Sequence, residues 1–171
     1  VFGVESSVEA RKICLKRGIP VESSESKLAS ASVDAIFLWH VLEHLPNPEN
    51  SLATYRSIIK PSGILVVAVP NFESHDSLHY QEDWAALDVP RHLWHFTPKG
   101  LIKMAYESGF DLLQKSALGL DVFYICYLSE KHRKKLVPFV RGILKGIFFS
   151  LKSFFTGKHS SSVYVFRKRP F

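Results

Sequence analysis

The chain has 171 residues, 46% apolar and 22% charged, a balance that excludes a disordered polymer and suits one domain with its own core. Lys and Arg outnumber Asp and Glu by 22 to 16, and most of the surplus lies after residue 130, so any contact with an anionic surface belongs to that end. Two cysteines, Cys14 and Cys126, make neither a disulfide framework nor a zinc cluster, and residues 1–4 carry no secretory pattern, so a reducing cytoplasm is the expected compartment.

Residues 1–4 are a short apolar run stopping at Glu5, the pattern of a buried parallel strand. Ser6-Ser7-Val8-Glu9 reads as a capping box with Ser6 at the N-cap, predicting a helix to about Arg17 that Gly18 ends in a left-handed conformation. Ile19-Pro20-Val21 is a weak second strand, and the Ser- and Ala-rich residues 22–32 read as a loop or a frayed short helix. Val33–Trp39 is nearly all apolar and predicts a strand buried on both faces. Asn47 caps the next helix with Pro48 in its first turn; Leu52, Tyr55, Ile58 and Ile59 repeat at helical spacing until Pro61-Ser62-Gly63. Residues 64–69 form another apolar strand, closed by Pro70-Asn71.

Strands alternating with helices predict a parallel sheet between helical layers, with ligands beyond the strands' carboxyl ends. Glu5, the Ser23 region, residues 40–44 and Asn71 stand at such ends. Residues 72–96 are rich in His, Trp, Asp and Tyr with weak periodicity, a long functional loop anchored by Tyr80, Trp84 and Trp94. Thr97-Pro98 starts a helix to about Ser108 with Gly109 as terminator, residues 110–120 hold a strand, and residues 162–166 hold the last one.

Between residues 131 and 158, Leu136, Val140, Ile143, Leu144, Ile147, Leu151 and Phe154 make a helical stripe, with Arg141, Lys145 and Lys152 opposite. The interrupting charges exclude an ordinary spanning helix. Three readings stay open: packing on the chain's own sheet, pairing with a partner, or lying in a membrane surface. Gly142, Gly146 and Phe149 fall off the stripe, so Phe149 is expected at the surface. Nucleic-acid binding is not expected, because the basic face lacks interleaved aromatics.

Three segments resemble one family. "GVESS" is similar to the second strand of class I S-adenosylmethionine-dependent methyltransferases, whose terminal acid binds the cofactor ribose. "VDAIFLWHVLEHLPNPENSLATYRSIIKPSGILVVAVPN" resembles the fourth strand, following helix and fifth strand of that fold. "DVPRHLWHFTPKGLIKMAYESGF" resembles the substrate-side loop and next helix of a subgroup acting on small molecules and glycans. The resemblance covers about residues 1–120 and the final strand. It implies an α/β, Rossmann-like, mostly parallel sheet with helices on both faces, lacking the family's first strand and helix. That strand would lie between those ending at Glu5 and Trp39, and the glycine-rich cofactor loop follows it. The chain is therefore expected to begin inside a longer gene product (Met104 is its sole methionine), to bind S-adenosylmethionine weakly and to be inactive alone. Residues 1–171 are expected to form a single partial domain, with 128–160 a basic amphipathic helical insertion.

The resemblance assigns Glu5 to the ribose, Ser23 or the backbone of Ser24 to the adenine, and Trp39, His40, Leu42 and Leu45 to packing along the adenosyl and methionine parts. Serine at position 23 departs from the acid usual there, and Trp39 fits a core role equally. In the loop, His92 and His95 are candidate bases for a hydroxyl acceptor and Arg91 a candidate holder of an anionic group; anchoring of the loop is the competing role. His40, Glu43 and His44 form H-x-x-E-H, similar to the E-x-x-E-H set by which ubiquinone-type O-methyltransferases bind a divalent metal. The expected function is O-methylation of a small-molecule or glycan acceptor. The alternatives are a metal-assisted ubiquinone-type reaction and a non-catalytic, membrane-attached module of the same fold.

Overall fold

Apolar runs bounded by turn residues become strands, and the computed structural model, which describes residues 1–170, places six of them in two sheets. In the smaller, β1 (Gly3–Val4) pairs in parallel with β2 (Val21–Glu22). The larger has the order β3 (Val33–Trp39), β4 (Ile59–Pro70), β6 (Ser161–Lys168), β5 (Phe110–Ala117). Since β3 and β4 are parallel and β6 opposes both β4 and β5, only β6 runs against the rest. This is the expected α/β architecture with a mostly parallel sheet.

Six helices accompany the strands: α1 (Val8–Lys16), α2 (Pro48–Ile58), α3 (His75–Tyr80), α4 (Pro98–Glu107), α5 (Asp121–His132) and α6 (Pro138–Thr156). Local chemistry sets their starts. Asn47 Oδ1 accepts from the Asn50 N–H at 3.1 Å and Thr97 Oγ1 from Gly100 at 3.0 Å, each ahead of a proline in the first turn. For α1 the cap is Ser7 rather than Ser6: its hydroxyl accepts from Ala10 N–H at 3.3 Å. Gly18 follows α1 with φ +71°, as the sequence predicts. The end of α2 comes before Pro61, because Ile59 is wholly buried and already pairs with Val33 as the first residue of β4.

The main core lies where α2 and α4 cover the larger sheet, around Leu52, Tyr55, Leu65, Leu101, Phe110 and Phe166. A second core joins the loop after β4 to the last two helices, through Tyr80, Trp84, Val122, Ile125, Cys126 and Phe149. Buried polar bonds lock that loop: Trp84 Nε1 and Ser160 Oγ both donate to Asp76 Oδ2, at 2.7 and 2.6 Å, and Tyr80 donates to Glu130 Oε1 at 3.0 Å. Tyr80 and Trp84 thus anchor the segment internally, while Trp94 stays partly exposed with its indole N–H on Leu45 O.

Two expectations fail for identifiable reasons. Val33–Trp39 is not buried on both faces: Phe37 is 66% and Trp39 53% exposed. β3 is an edge strand, hydrogen-bonded to β4 alone, and β1 does not pair with it. The open edge lies where the resemblance sets a further strand.

The second failure concerns α6, whose buried face is Gly142, Gly146, Phe149 and Ser153, not the apolar stripe. A Cβ on Gly142 would stand 2.5 Å from Tyr127 Cα, and one on Gly146 would stand 2.5 Å from Phe123 Cδ1, so the glycines let α6 close onto α5. These pairings run in opposite senses along the two helices, which are antiparallel. Arg141 Nε donates to buried Glu130 Oε2 at 2.6 Å across them. Burial disfavours that carboxylate's charge, but the bonds from Arg141 and Tyr80 prevail and hold it below the usual carboxylate range.

Candidate active site

The turn after β3 is built around an ion triad. His40 leaves the strand in the left-handed region at φ +52°, followed by a 3₁₀ turn over Leu42–His44. Its Nε2 bonds Asp121 Oδ2 at 3.0 Å and its Nδ1 bonds Glu43 Oε1 at 3.2 Å. Those bonds, to Asp121 first and Glu43 second, raise its pKa to about 9, so the ring is an imidazolium at neutral pH donating from both nitrogens. His40 therefore ties the turn to the start of α5. Because the folded pKa exceeds the ordinary value of about 6.5, its stabilisation is full below that value and is lost as pH rises through about 9. Allowing for partial exposure, Asp121→Asn is expected to cost about 1–2 kcal/mol at pH 6 and almost nothing at pH 10. Thermal melts of both proteins across that range measure the difference.

The loop after a further 3₁₀ turn (Ala85–Leu87) folds back onto Glu43. The Glu43 carbonyl accepts from Leu93 N–H at 2.9 Å and Trp94 N–H at 3.2 Å, bringing residues 91–95 to the end of the sheet. His44 Nδ1 lies 2.9 Å from Arg91 O and His92 Nδ1 lies 2.8 Å from Ala86 O. A carbonyl only accepts, so each Nδ1 carries a proton, and in the neutral ring the lone pair belongs to Nε2. His92 Nε2 is 4.0 Å from Glu43 Oε1 and 3.9 Å from Asp88 Oδ2, and the His44 and His92 rings meet at 4.7 Å. His95 spends Nε2 on Leu87 O at 2.9 Å, with its ring 5.6 Å from Phe72. The Arg91 guanidinium is exposed and holds Asp88 at 2.6 Å. Beside this group opens a shallow cavity of about 350 Å³ lined by Phe72, Ser77, Leu78, Gln81, Glu82 and Leu87.

Glu43 is the hub that sequence reasoning undervalues. Only 1% exposed, it keeps Oε2 without a hydrogen-bond partner. Glu43, His44 and His92 offer ligand atoms within 4.8 Å of one another. In this set His92 takes the place that the H-x-x-E-H spacing gives to His40. Asp88 and Asp121 carried no signal in the sequence; both act through tertiary contact alone.

The candidate cofactor residues Glu5, Ser23 and Ser24 belong to the region of the smaller sheet. Glu5 directly follows β1, with Oε1 accepting from Ser7 N–H at 2.8 Å, while Oε2 accepts no hydrogen bond among the described residues. That free oxygen suits a ribose diol, and exposed Trp39 at the end of β3 suits a flat base, so these residues fit a nucleoside such as S-adenosylmethionine carries. Ser24 Oγ accepts from Ser26 N–H, capping a short 3₁₀ turn, which leaves its backbone and half-buried Ser23 for further contacts. Leu42 is corrected: with no exposed surface it is a core side chain and cannot touch a ligand. His40, His92 and His95 are thus brought together around Glu43. Glu5, Ser23 and Ser24 stand apart on the smaller sheet, and no hydrogen bond or ion pair among the described residues links the halves.

Comparison with known proteins gives the family and the fold. The family described as Methyltransferase domain matches residues 1–115. No curated protein matches the chain. Among solved structures, a SAM-dependent methyltransferase from Thermotoga maritima is 19% identical, with a TM-score of 0.65 over 99% of this chain and 73% of that one. Another from Archaeoglobus fulgidus is 17% identical, with a TM-score of 0.58 over 98% and 75%. The Burkholderia thailandensis 1,6-didemethyltoxoflavin-N1-methyltransferase, holding 1,6-didemethyltoxoflavin and S-adenosylhomocysteine, is 14% identical, with a TM-score of 0.55 over 98% and 60%. At these identities the structures speak for the fold, and the family match covers more than half of the chain. The acid-ended strand, the open-edged sheet and the matched family together make the chain a member of the class I S-adenosylmethionine-dependent methyltransferases.

Proposed function

We propose that the protein methylates a hydroxyl of a small-molecule or glycan acceptor, with His92 as the base. The observation that carries this is the fixed orientation of His92, whose Nδ1–H is held by Ala86 O and whose Nε2, the basic position of the neutral ring, stands beside two carboxylates. S-adenosylmethionine supplies an electrophilic methyl on a sulfonium. The acceptor oxygen bonds to that carbon, the carbon–sulfur bond breaks to leave a neutral thioether, and the hydroxyl proton passes to His92 Nε2. Glu5 takes the ribose hydroxyls, Ser23 and Ser24 the adenine edge, and Trp39 the base face, with His40 fixing the turn beneath. His95 orients the loop, and Arg91 is free to exchange Asp88 for an anionic group of the acceptor. The adjoining cavity is mostly apolar, with Ser77, Gln81 and Glu82 as its polar positions, which suits an acceptor carrying a few hydroxyls on an apolar body. The Burkholderia enzyme takes a small molecule, which supports an acceptor of that size.

Residues 1–171 then act as a single partial methyltransferase domain with 128–160 inserted, cytoplasmic and in peripheral contact with a membrane surface. Methyl transfer from labelled cofactor to polyol, sugar and phenol panels, compared with amine panels and run on a form extended to include the glycine-rich loop, tests the acceptor atom. Product on amines alone would remove the hydroxyl reading.

A second reading has its own observation: buried Glu43 keeps Oε2 without a hydrogen-bond partner and shares a cluster of ligand atoms within 4.8 Å with His44 and His92. Two imidazoles and a carboxylate suit a transition metal such as zinc, which would orient a diol acceptor as in the ubiquinone-type enzymes. Metal analysis of the purified protein separates the two: one equivalent of zinc, lost in Glu43→Gln, favours the metal.

A further inference from the structure

We propose that the outward face of α6 lies in the interfacial layer of an anionic membrane, with its apolar ridge at the acyl boundary and its flanking lysines on lipid phosphates. The inference stands on the packing of the helical hairpin and is independent of the methyl-transfer chemistry.

The helix is oriented by its smallest residues. Gly142 and Gly146 face α5 at backbone distance, so the large apolar side chains of α6 turn away from the protein. Leu144, Phe148, Leu151, Phe154 and Phe155 are exposed by 62, 56, 61, 79 and 83%. A continuous ridge of this size on one surface helix marks a binding surface. Phe149, the aromatic expected outside, is the one buried instead.

Charge selects the occupant. Half of the 22 Lys and Arg residues follow Glu130, and none of the 16 acids does. Lys131, Lys134 and Lys135 cluster at the hairpin turn and Lys152 and Lys158 at the far end, all exposed and in no ion pair among the described residues. A second copy of this surface would bring lysines against lysines with no acid to receive them. A surface of lipid phosphates meets the ridge and the lysines together. Among the described residues no helix is long and apolar enough to cross a membrane, which agrees with an in-plane position. At 19 residues α6 is about 28 Å long, enough to set the whole ridge against one surface. The antiparallel register places its Phe148 end beside the start of α5, where Asp121 holds His40, so the embedded end adjoins the cleft.

The test is flotation of the full chain with vesicles of phosphatidylcholine alone and of phosphatidylcholine mixed with phosphatidylglycerol. The protein should float with the mixed vesicles and not with phosphatidylcholine, and high salt should weaken binding on the order of tenfold. Combined Leu151→Ser, Phe154→Ser and Phe155→Ser, at positions that support no core, should keep the melting temperature and lose binding by roughly 10–100-fold. Lys152→Glu with Lys158→Glu should lose on the order of tenfold. Failure of the wild-type chain to float with mixed vesicles, or a serine variant that floats as well as wild type, would overturn the proposal. So would ultracentrifugation showing a dimer that the serine variant dissolves in a protein indifferent to lipid.

Discussion

His92→Gln is expected to lower kcat by about 10²–10⁴-fold while leaving the affinity for S-adenosylhomocysteine within about twofold. Glutamine keeps a donor for Ala86 O but offers no basic nitrogen at the position of Nε2. The residue stands among the loop contacts and far in sequence from Glu5, so a loss confined to kcat separates proton removal from cofactor binding. His95→Gln, whose Nε2 already serves Leu87 O, should move kcat far less and raise KM through loop misplacement. Equal losses in both variants, or an unchanged rate in His92→Gln with a hydroxyl acceptor, would remove His92 from the reaction. Rates measured with saturating cofactor on a form extended to include the glycine-rich loop, beside a calorimetric titration of S-adenosylhomocysteine to that form, give the split.

Gly142→Leu is expected to destabilise the protein by about 3–5 kcal/mol, a fall of roughly 10 °C in melting temperature. The first atom of a new side chain would meet Tyr127 Cα at 2.5 Å and its N at 2.7 Å, and backbone cannot rotate away as a side-chain tip can. The helices must part, loosening the Arg141–Glu130 bond and the packing of Phe149. Gly142→Ala sharpens the sign. On an open helix surface that exchange stabilises by about 1 kcal/mol through helix propensity, whereas here it should destabilise. Calorimetry of the two variants decides whether the glycine face is the packed one.

That packed face shows where sequence reading stopped. Helix starts at Asn47 and Thr97 were legible because a cap and its proline are local chemistry, and β4 was legible because its apolar run is bounded by turn residues. Periodicity found the stripe on α6 but assigned the wrong side inward, since hydrophobic spacing is blind to the close approach that two glycines allow. α5 went unread, its aromatic and β-branched residues resembling an extension of the preceding strand. The burial of Val33–Trp39 was overestimated because a uniform apolar run does not reveal whether a neighbour exists. At the site, the turn after β3 and the His-rich loop were recognisable from residue types at fixed spacing. Their arrangement depends on Asp121, Asp88 and the Glu43 carbonyl, partners set by folding rather than by nearby sequence.

The unpaired side of β3 has a practical consequence. Alternate residues of the strand present backbone donors and acceptors on that unpaired side, with two large exposed aromatics beside them, and no proline or lysine within the strand discourages a visitor. At high concentration two molecules are expected to zip together along that margin, so aggregation should grow steeply with protein concentration and yield to a single lysine introduced for Phe37.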